Sequence, residues 1–243
     1  MSSAIPLDEV HVHHLAPELV SHAELFARHA GILSTDERAR HDRFLMERSR
    51  LEFLATRVLV RRTLSLYTGA EPADLAFEKN HWGRPELVSP RAPALHFNLS
   101  NTAGLVVIAL ASTREIGIDV EDTERHGETV KVADRFFAPR EIEQLHAAPA
   151  ALRRSLFFDF WTLKEAYIKA RGMGLAIPLD QFAFRLEPRP IRVELDPRLG
   201  DEASTWRFDQ LDLGARHRVS VAVRSAGGHP TFRLRDASEL LLR

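Results

Sequence analysis

One order of elements runs twice through this chain: short helix, long helix, glycine, strands. A chain that repeats its own pattern is constrained to fold as two similar bodies. The first copy reads ILSTDERARHDRF, LEFLATRVLVRRTLSLYTG and LAFEKN; the second reads FFAPREIEQLHAA, AALRRSLFFDFWTLKEAYIKARGMGL and FAFRLE. Glu37 and Glu141, Gly69 and Gly172, and Leu75 and Phe182 are matching points, each pair about a hundred residues apart. The expected fold class is α+β, as two similar lobes in tandem over residues 1–112 and 113–243. The natural cleft of such a pair lies between the lobes.

Local signals fill in each copy. Ser34-Thr35-Asp36-Glu37 has the spacing of a capping box. Leu51, Leu54, Val58 and Leu59 recur at helical spacing, and Gly69 suits a C-cap. Two consecutive helices are expected, roughly 35–45 and 47–68. LAFEKNHWGRPEL reads as strand, turn at Gly83, strand, and Pro90 and Pro93 mark a loop. HFNLSNTAGLVVIALA reads as a tight bend leading into a buried strand. Pro139 sits at a first-turn position of the next helix. A longer helix ends at Gly172 and Gly174, and FAFRLEPRPIRVEL, TWRFDQL and HRVSVAV read as strands. Near the start, DEVHVHHLA alternates as a first strand, which spreads its histidines over two faces instead of clustering them around a metal.

Composition excludes several classes. The chain has 243 residues, 44% hydrophobic and 28% charged, enough for one large core or two smaller ones. A net charge of −1 gives no global field toward nucleic acid. The absence of cysteine rules out disulfides, thiolate metal sites and cysteine nucleophiles. MSSAIPLDEVHVHHL lacks the apolar region of a signal peptide, and the longest apolar run, Leu105 to Ala111, is too short to span a membrane. A cytoplasmic protein without membrane contact is expected.

Residues 116–122 read IGIDVED. On a strand Ile116, Ile118 and Val120 share one face, and Gly117, Asp119 and Glu121 the other. Two acids so placed lie roughly 6–7 Å apart at Cα and repel unless a positive group stands between them, for which Mg²⁺ is the natural candidate. Gly117 would leave room for a ligand. The same alternation equally suits the solvent face of a half-buried strand. In FWTLKEAYIKARG, Trp161, Glu165, Ile168 and Lys169 share one helix side. Glu165 and Lys169 could form a surface pair worth a few tenths of a kcal/mol. With Trp161 and Ile168 turned to the core, however, Glu165 needs a partner, and a shared cation would supply it. Arg40, Arg43, Arg50, Arg57, Arg61 and Arg62 decorate the first helices, with Lys79 and Arg84 following. Arg43, Arg50 and Arg57 stay on one face if the helix is continuous. Guanidinium groups beside a Mg²⁺ site suit a polyanionic small molecule.

The combination GRP at 83–85, FNLSN at 97–101, GIDVE at 117–121, RFF at 135–137 and WTLKEAYIKARGMGL at 161–175 resembles the 4′-phosphopantetheinyl transferases of the Sfp type, over roughly residues 30 to 185. The resemblance implies two lobes with pseudo-twofold symmetry and an active site in the cleft between them. It implies transfer of the phosphopantetheine arm of coenzyme A to a serine of an acyl or peptidyl carrier protein, releasing adenosine 3′,5′-bisphosphate. By matching position, Asp119, Glu121 and Glu165 would hold Mg²⁺, or Mn²⁺ in its place. Lys169 would contact the pyrophosphate with Lys164 nearby, and Arg84 the nucleotide. Ser100 and Asn101 would face the 3′-phosphate side, joined by Arg40 and Arg57. Glu165 would serve as base, directly or through a metal-bound water, and Lys169 would stabilise the leaving phosphate. The family usually has His where Asn101 stands. Asn carries no positive charge, so weaker discrimination between coenzyme A and its 3′-dephospho form is expected. Phe136 and Phe137 are read as core, and a monomer is expected. The rival readings are a non-catalytic coenzyme A or nucleotide sensor and a Mg²⁺-dependent phosphohydrolase.

Overall fold

A computed structural model describes residues 4–225 and 227–242. The chain divides into two compact units, Met1–Arg114 with Thr231–Arg243, and Glu115–Pro230. In the first unit β1 (Glu9–Leu15) is followed by α1 (His22–His29), α2 (Thr35–Asp42) and α3 (Glu47–Thr68). The hairpin of β2 (Ala76–Lys79) and β3 (Pro85–Ser89) comes next, then the hairpin of β4 (His96–Thr102) and β5 (Leu105–Ala111). In the second unit β6 (Ile116–Asp122) is followed by α4 (Thr129–Phe136), α5 (Pro139–Ala147) and α6 (Ala150–Arg171). β7 (Phe182–Arg185), β8 (Arg192–Leu195), β9 (Trp206–Leu211) and β10 (His217–Arg224) complete it. The two inventories match step for step: strand, three helices, small hairpin, second hairpin. In both units the opening strand pairs antiparallel with the last strand of the second hairpin, giving the orders β1-β5-β4 and β6-β10-β9. The duplication read from the letters is a duplication of topology.

The division is not the contiguous one expected. Residues 231–243 belong to the first unit because β11 (Thr231–Asp236) pairs in parallel with β1 from Glu9↔Thr231 to His14↔Asp236. Ala237, Leu240 and Leu241 then enter the first core. HFNLSNT is also not a bend. It is strand β4, and the turn comes later, at Gly104 with φ of 83°.

Each long helix is the spine of its unit. α3 places Leu54, Val58, Leu59 and Leu64 against Val106, Ile108 and Leu110 of β5. α6 places Phe157, Phe160, Leu163 and Tyr167 against Phe182, Phe184, Trp206 and Phe208. Both helices stop on a left-handed glycine, Gly69 with φ of 72° and Gly172 with φ of 65°, where a side chain would be strained. α2 ends at Asp42 and α3 begins at Glu47, so Arg43, Arg50 and Arg57 do not share one continuous helix face.

An ion pair locks each spine at the same place, partly buried in the first unit and fully buried in the second. In the first unit Glu37 closes a capping box with Ser34 and receives Arg61 at 2.8 Å; Arg61 also donates to the carbonyls of Pro72 and Leu75. In the second, Glu141 accepts from the Ala138 and Phe184 amides and receives Lys164 at 2.7 Å with both side chains fully buried. Lys164 also donates to the carbonyls of Leu179 and Phe182. Among the described residues no helix is long and apolar enough to cross a membrane.

Candidate active site

The second unit gathers Asp119, Glu121, Glu165 and Lys169 where β6 meets α6. Gly117 makes the meeting close: a Cβ there would stand 2.0 Å from the Ala166 carbonyl oxygen and 2.5 Å from the Ala170 nitrogen. The glycine therefore admits the helix backbone, not a ligand, which corrects the expected role. β6 is buried on both faces, with Ile116, Ile118 and Val120 in the core. Asp119 is 5% exposed, so the face with the acids is not a solvent face. Across the sheet Asp119 stands opposite Ser220, whose hydroxyl meets Thr162 of α6 at 2.7 Å.

Two side chains from α6 reach this face. Lys169 Nζ lies 2.6 Å from Asp119 Oδ1 and donates to the Ile118 carbonyl at 3.2 Å. Trp161 Nε1 donates to Glu121 Oε1 at 3.0 Å. The indole is clamped by stacking on Phe157 and Phe137. The other oxygen of Glu121, Oε2, faces Arg125 Nε at 3.1 Å. Sequence reading placed Trp161 beside Glu165 but gave it no polar role, and Arg125 went unremarked. Glu165 is half-buried one turn before Lys169.

The electrostatics follow from this crowding. Burial, and then the Asp119 charge, raise Glu165 from its ordinary value to about 7, with Lys169 opposing and Glu121 adding to the rise. Burial and Asp119 also push Glu121 up, against the pull of Arg125, Trp161 and Lys169. Among the described residues no three His, Cys, Asp or Glu side chains are arranged to hold a metal ion, because Asp119 is turned to Lys169 and Glu121 to Trp161 and Arg125. The donor chemistry nevertheless suits a hard divalent cation: three carboxylates, no thiolate and no imidazole. Two of the acids hold protons more tightly than usual, a repulsion that added positive charge would relieve.

Lys164 is elsewhere. Its ammonium is spent on Glu141 and two carbonyls in the fully buried lock of the unit, so the expectation that it stands near the pyrophosphate is corrected. Phe137 is core, as expected, while Phe136 is 43% exposed.

The expected nucleotide contacts lie in the first unit, in two groups. Arg40 and Arg57 both stack on the Phe53 ring, 5.4 and 5.5 Å from its centroid. Arg57 also approaches Glu37 at 3.5 Å. Burial depresses the Arg57 guanidinium, opposed by Glu37 and helped by Arg40 and Arg61. Its Nε is buried with no hydrogen-bond partner. Glu37 is shared by the Arg57 and Arg61 guanidiniums, and the Arg40 charge adds to that of Arg57, which leaves surplus positive charge. The second group lies around Arg84, which donates to the carbonyls of Phe97 and Arg114. It lines a pocket of about 380 Å³ with Glu86, Arg91, His96 and Arg114. Ser100 is buried on β4, and Asn101, the next residue, is exposed.

Two family models match the chain: one described as the 4′-phosphopantetheinyl transferase superfamily over residues 115–222, the other as 4′-phosphopantetheinyl transferase, N-terminal, over residues 21–113. Their junction falls where the two units divide. The chain is 36% identical over 204 residues to the 4′-phosphopantetheinyl transferase HetI of a Nostoc species, covering 84% of this chain and 83% of that one. It is 33% identical over 206 residues to the 4′-phosphopantetheinyl transferase Sfp of Bacillus subtilis, covering 84% and 86%. It is 32% identical over 211 residues to the 4′-phosphopantetheinyl transferase psf-1 of Bacillus pumilus, covering 87% of each.

Proposed function

This chain belongs to the 4′-phosphopantetheinyl transferase superfamily and is a transferase that loads phosphopantetheine onto carrier proteins; from that premise we propose that coenzyme A is the donor, that Mg²⁺ is required, and that Glu165 is the base. The observation that carries the reading is the gathering of Asp119, Glu121, Glu165 and Lys169 where β6 meets α6, with Glu165 half-buried beside the other two acids. Glu165 accepts the proton of the carrier serine as its oxygen attacks the β-phosphate of coenzyme A. The bond from that phosphorus to the bridging oxygen breaks, and adenosine 3′,5′-bisphosphate leaves with the electron pair. Lys169, already 2.6 Å from Asp119, is set to face the pyrophosphate and stabilise the leaving phosphate. Asp119, Glu121 and Glu165 would hold the Mg²⁺, which when bound supplies positive charge against the pyrophosphate oxygens. In the first unit Arg40 and Arg57 supply the surplus charge for the 3′-phosphate. Arg84, Ser100 and Asn101 serve the nucleotide. A cytoplasmic monomer is the form we take to act.

The test is intact-mass spectrometry of an apo acyl carrier protein and an apo peptidyl carrier protein, each incubated with the enzyme, coenzyme A and Mg²⁺. The expected result is a gain of one phosphopantetheine on a carrier, lost with Asp119→Ala. Consumption of coenzyme A without carrier loading would favour a hydrolase instead.

A further inference from the structure

The two oxygens of Glu121 are held in different ways. Trp161 Nε1, on Oε1, is a neutral donor fixed in an aromatic stack with Phe157 and Phe137. Arg125, on Oε2, is a cation whose side chain is 45% exposed. The loop that carries Arg125 is nailed at its backbone. Arg154 donates to the carbonyls of Thr123, Arg125 and Gly127, and Thr123 is bound to the Arg216 carbonyl at 2.8 Å through both its amide and its hydroxyl. Arg154 and Arg125 both stack on Phe158. The backbone of Arg125 is therefore pinned beside β6, while its guanidinium has solvent to swing into.

We propose that Arg125 is a placeholder for the divalent cation: it occupies Oε2 of Glu121 in the metal-free protein and is exchanged out when metal binds. This rests on the reading of Asp119, Glu121 and Glu165 as the metal ligands. A divalent cation held by Glu121 and a guanidinium on Oε2 of the same carboxylate repel one another, and the exposed side chain is the one able to move away. Metal affinity in this chain is then the intrinsic affinity of the acids reduced by the cost of displacing Arg125. A pair that stays in place beside the metal predicts the same gain from lost repulsion but an unmoved guanidinium: the Arg125 Nε–H resonance of wild type would keep its position when Mg²⁺ is added, whereas displacement from Glu121 shifts it.

The experiment is calorimetric titration of Mg²⁺ into metal-free protein without coenzyme A, using wild type, Arg125→Gln, Arg125→Lys and Asp119→Ala. Arg125→Gln is expected to bind Mg²⁺ roughly three- to tenfold more tightly than wild type, the size of a modest charge competition. Arg125→Lys, which keeps the cation, is expected to stay near wild type, and Asp119→Ala to lose binding. A gain in affinity is not something a damaged fold produces. Equal or weaker binding by Arg125→Gln, with binding still lost in Asp119→Ala, overturns the placeholder and leaves the metal site standing. Binding by Asp119→Ala as tight as wild type, or by no variant at all, overturns the metal site and the placeholder with it.

Discussion

Glu165 ties stability to pH with a definite sign. Its folded value, about 7, lies above the unfolded value of 4.5, so the folded protein holds the extra proton between them. The contribution of Glu165 to the stability of the metal-free protein therefore falls as pH rises from about 4.5 through 7, and no further above that. Glu165→Gln removes this penalty. In EDTA it should melt close to wild type near pH 4.5 and above it at pH 8, with turnover reduced at least a hundredfold; a Tm difference that ignores pH would contradict the assignment. Asn101→His should sharpen preference for coenzyme A over its 3′-dephospho form, read as the ratio of the two kcat/KM values. At this scale the acids and Lys169 were legible because periods of two and four are written in the letters. Trp161 and Arg125 were not, since a hydrogen-bond direction and the path of a loop depend on packing. Lys164 was misread for a related reason. It adjoins Glu165 in sequence, but consecutive helical residues point about 100° apart. The signal that could have placed it was the repeat itself, because Lys164 and Glu141 stand where Arg61 and Glu37 stand in the first copy.

Among elements, β6 and α6 are the pair on which the site depends. Gly117→Ala would drive a methyl into the Ala166 carbonyl, 2.0 Å away, where backbone has little room to yield. A loss of about 3 kcal/mol or more in urea unfolding is expected, with turnover lost even where the protein stays folded; wild-type stability would show that the helix can step back. The lock beneath α6 predicts a different pattern. Lys164→Met alone strands the buried Glu141 carboxylate and should cost about 3–5 kcal/mol. Lys164→Met with Glu141→Gln should recover most of that and keep the KM for coenzyme A, since neither residue meets the substrate. The long helices were readable from their apolar spacing and glycine stops. α1 was missed although Ser21 and Glu24 form the same capping box that marks the equally short α2; α4 was not readable, because its eight residues carry barely two turns of pattern and no side-chain cap. β4 was mistaken for a bend because its polar residues look like loop. Asn98 and Ser100 are in fact 6% and 7% exposed, held on a strand whose partner, β5, is buried throughout.

At the scale of the whole molecule, the last thirteen residues belong with the first hundred. Deleting residues 231–243 strips β11 from β1 and removes the Leu241 and Leu242 carbonyls that His29 and Arg28 hold. Hydrogen exchange should quicken in β1 and α1 and stay unchanged in β6; quickening in β6 would show that the units do not keep separate accounts. The contiguous split was the natural reading because repeats are seen in series, and an exposed edge strand like TFRLRD carries little apolar signal. Its placement bears on how the chain is made. Synthesis runs from the amino end, so the segment bearing the acids emerges with its sheet partners and can close while translation continues. The opening strand keeps one edge bare until residues 231–236 have also been made, and an unpaired edge is where chains adhere to one another. The unit that is started first is completed after the one that follows it.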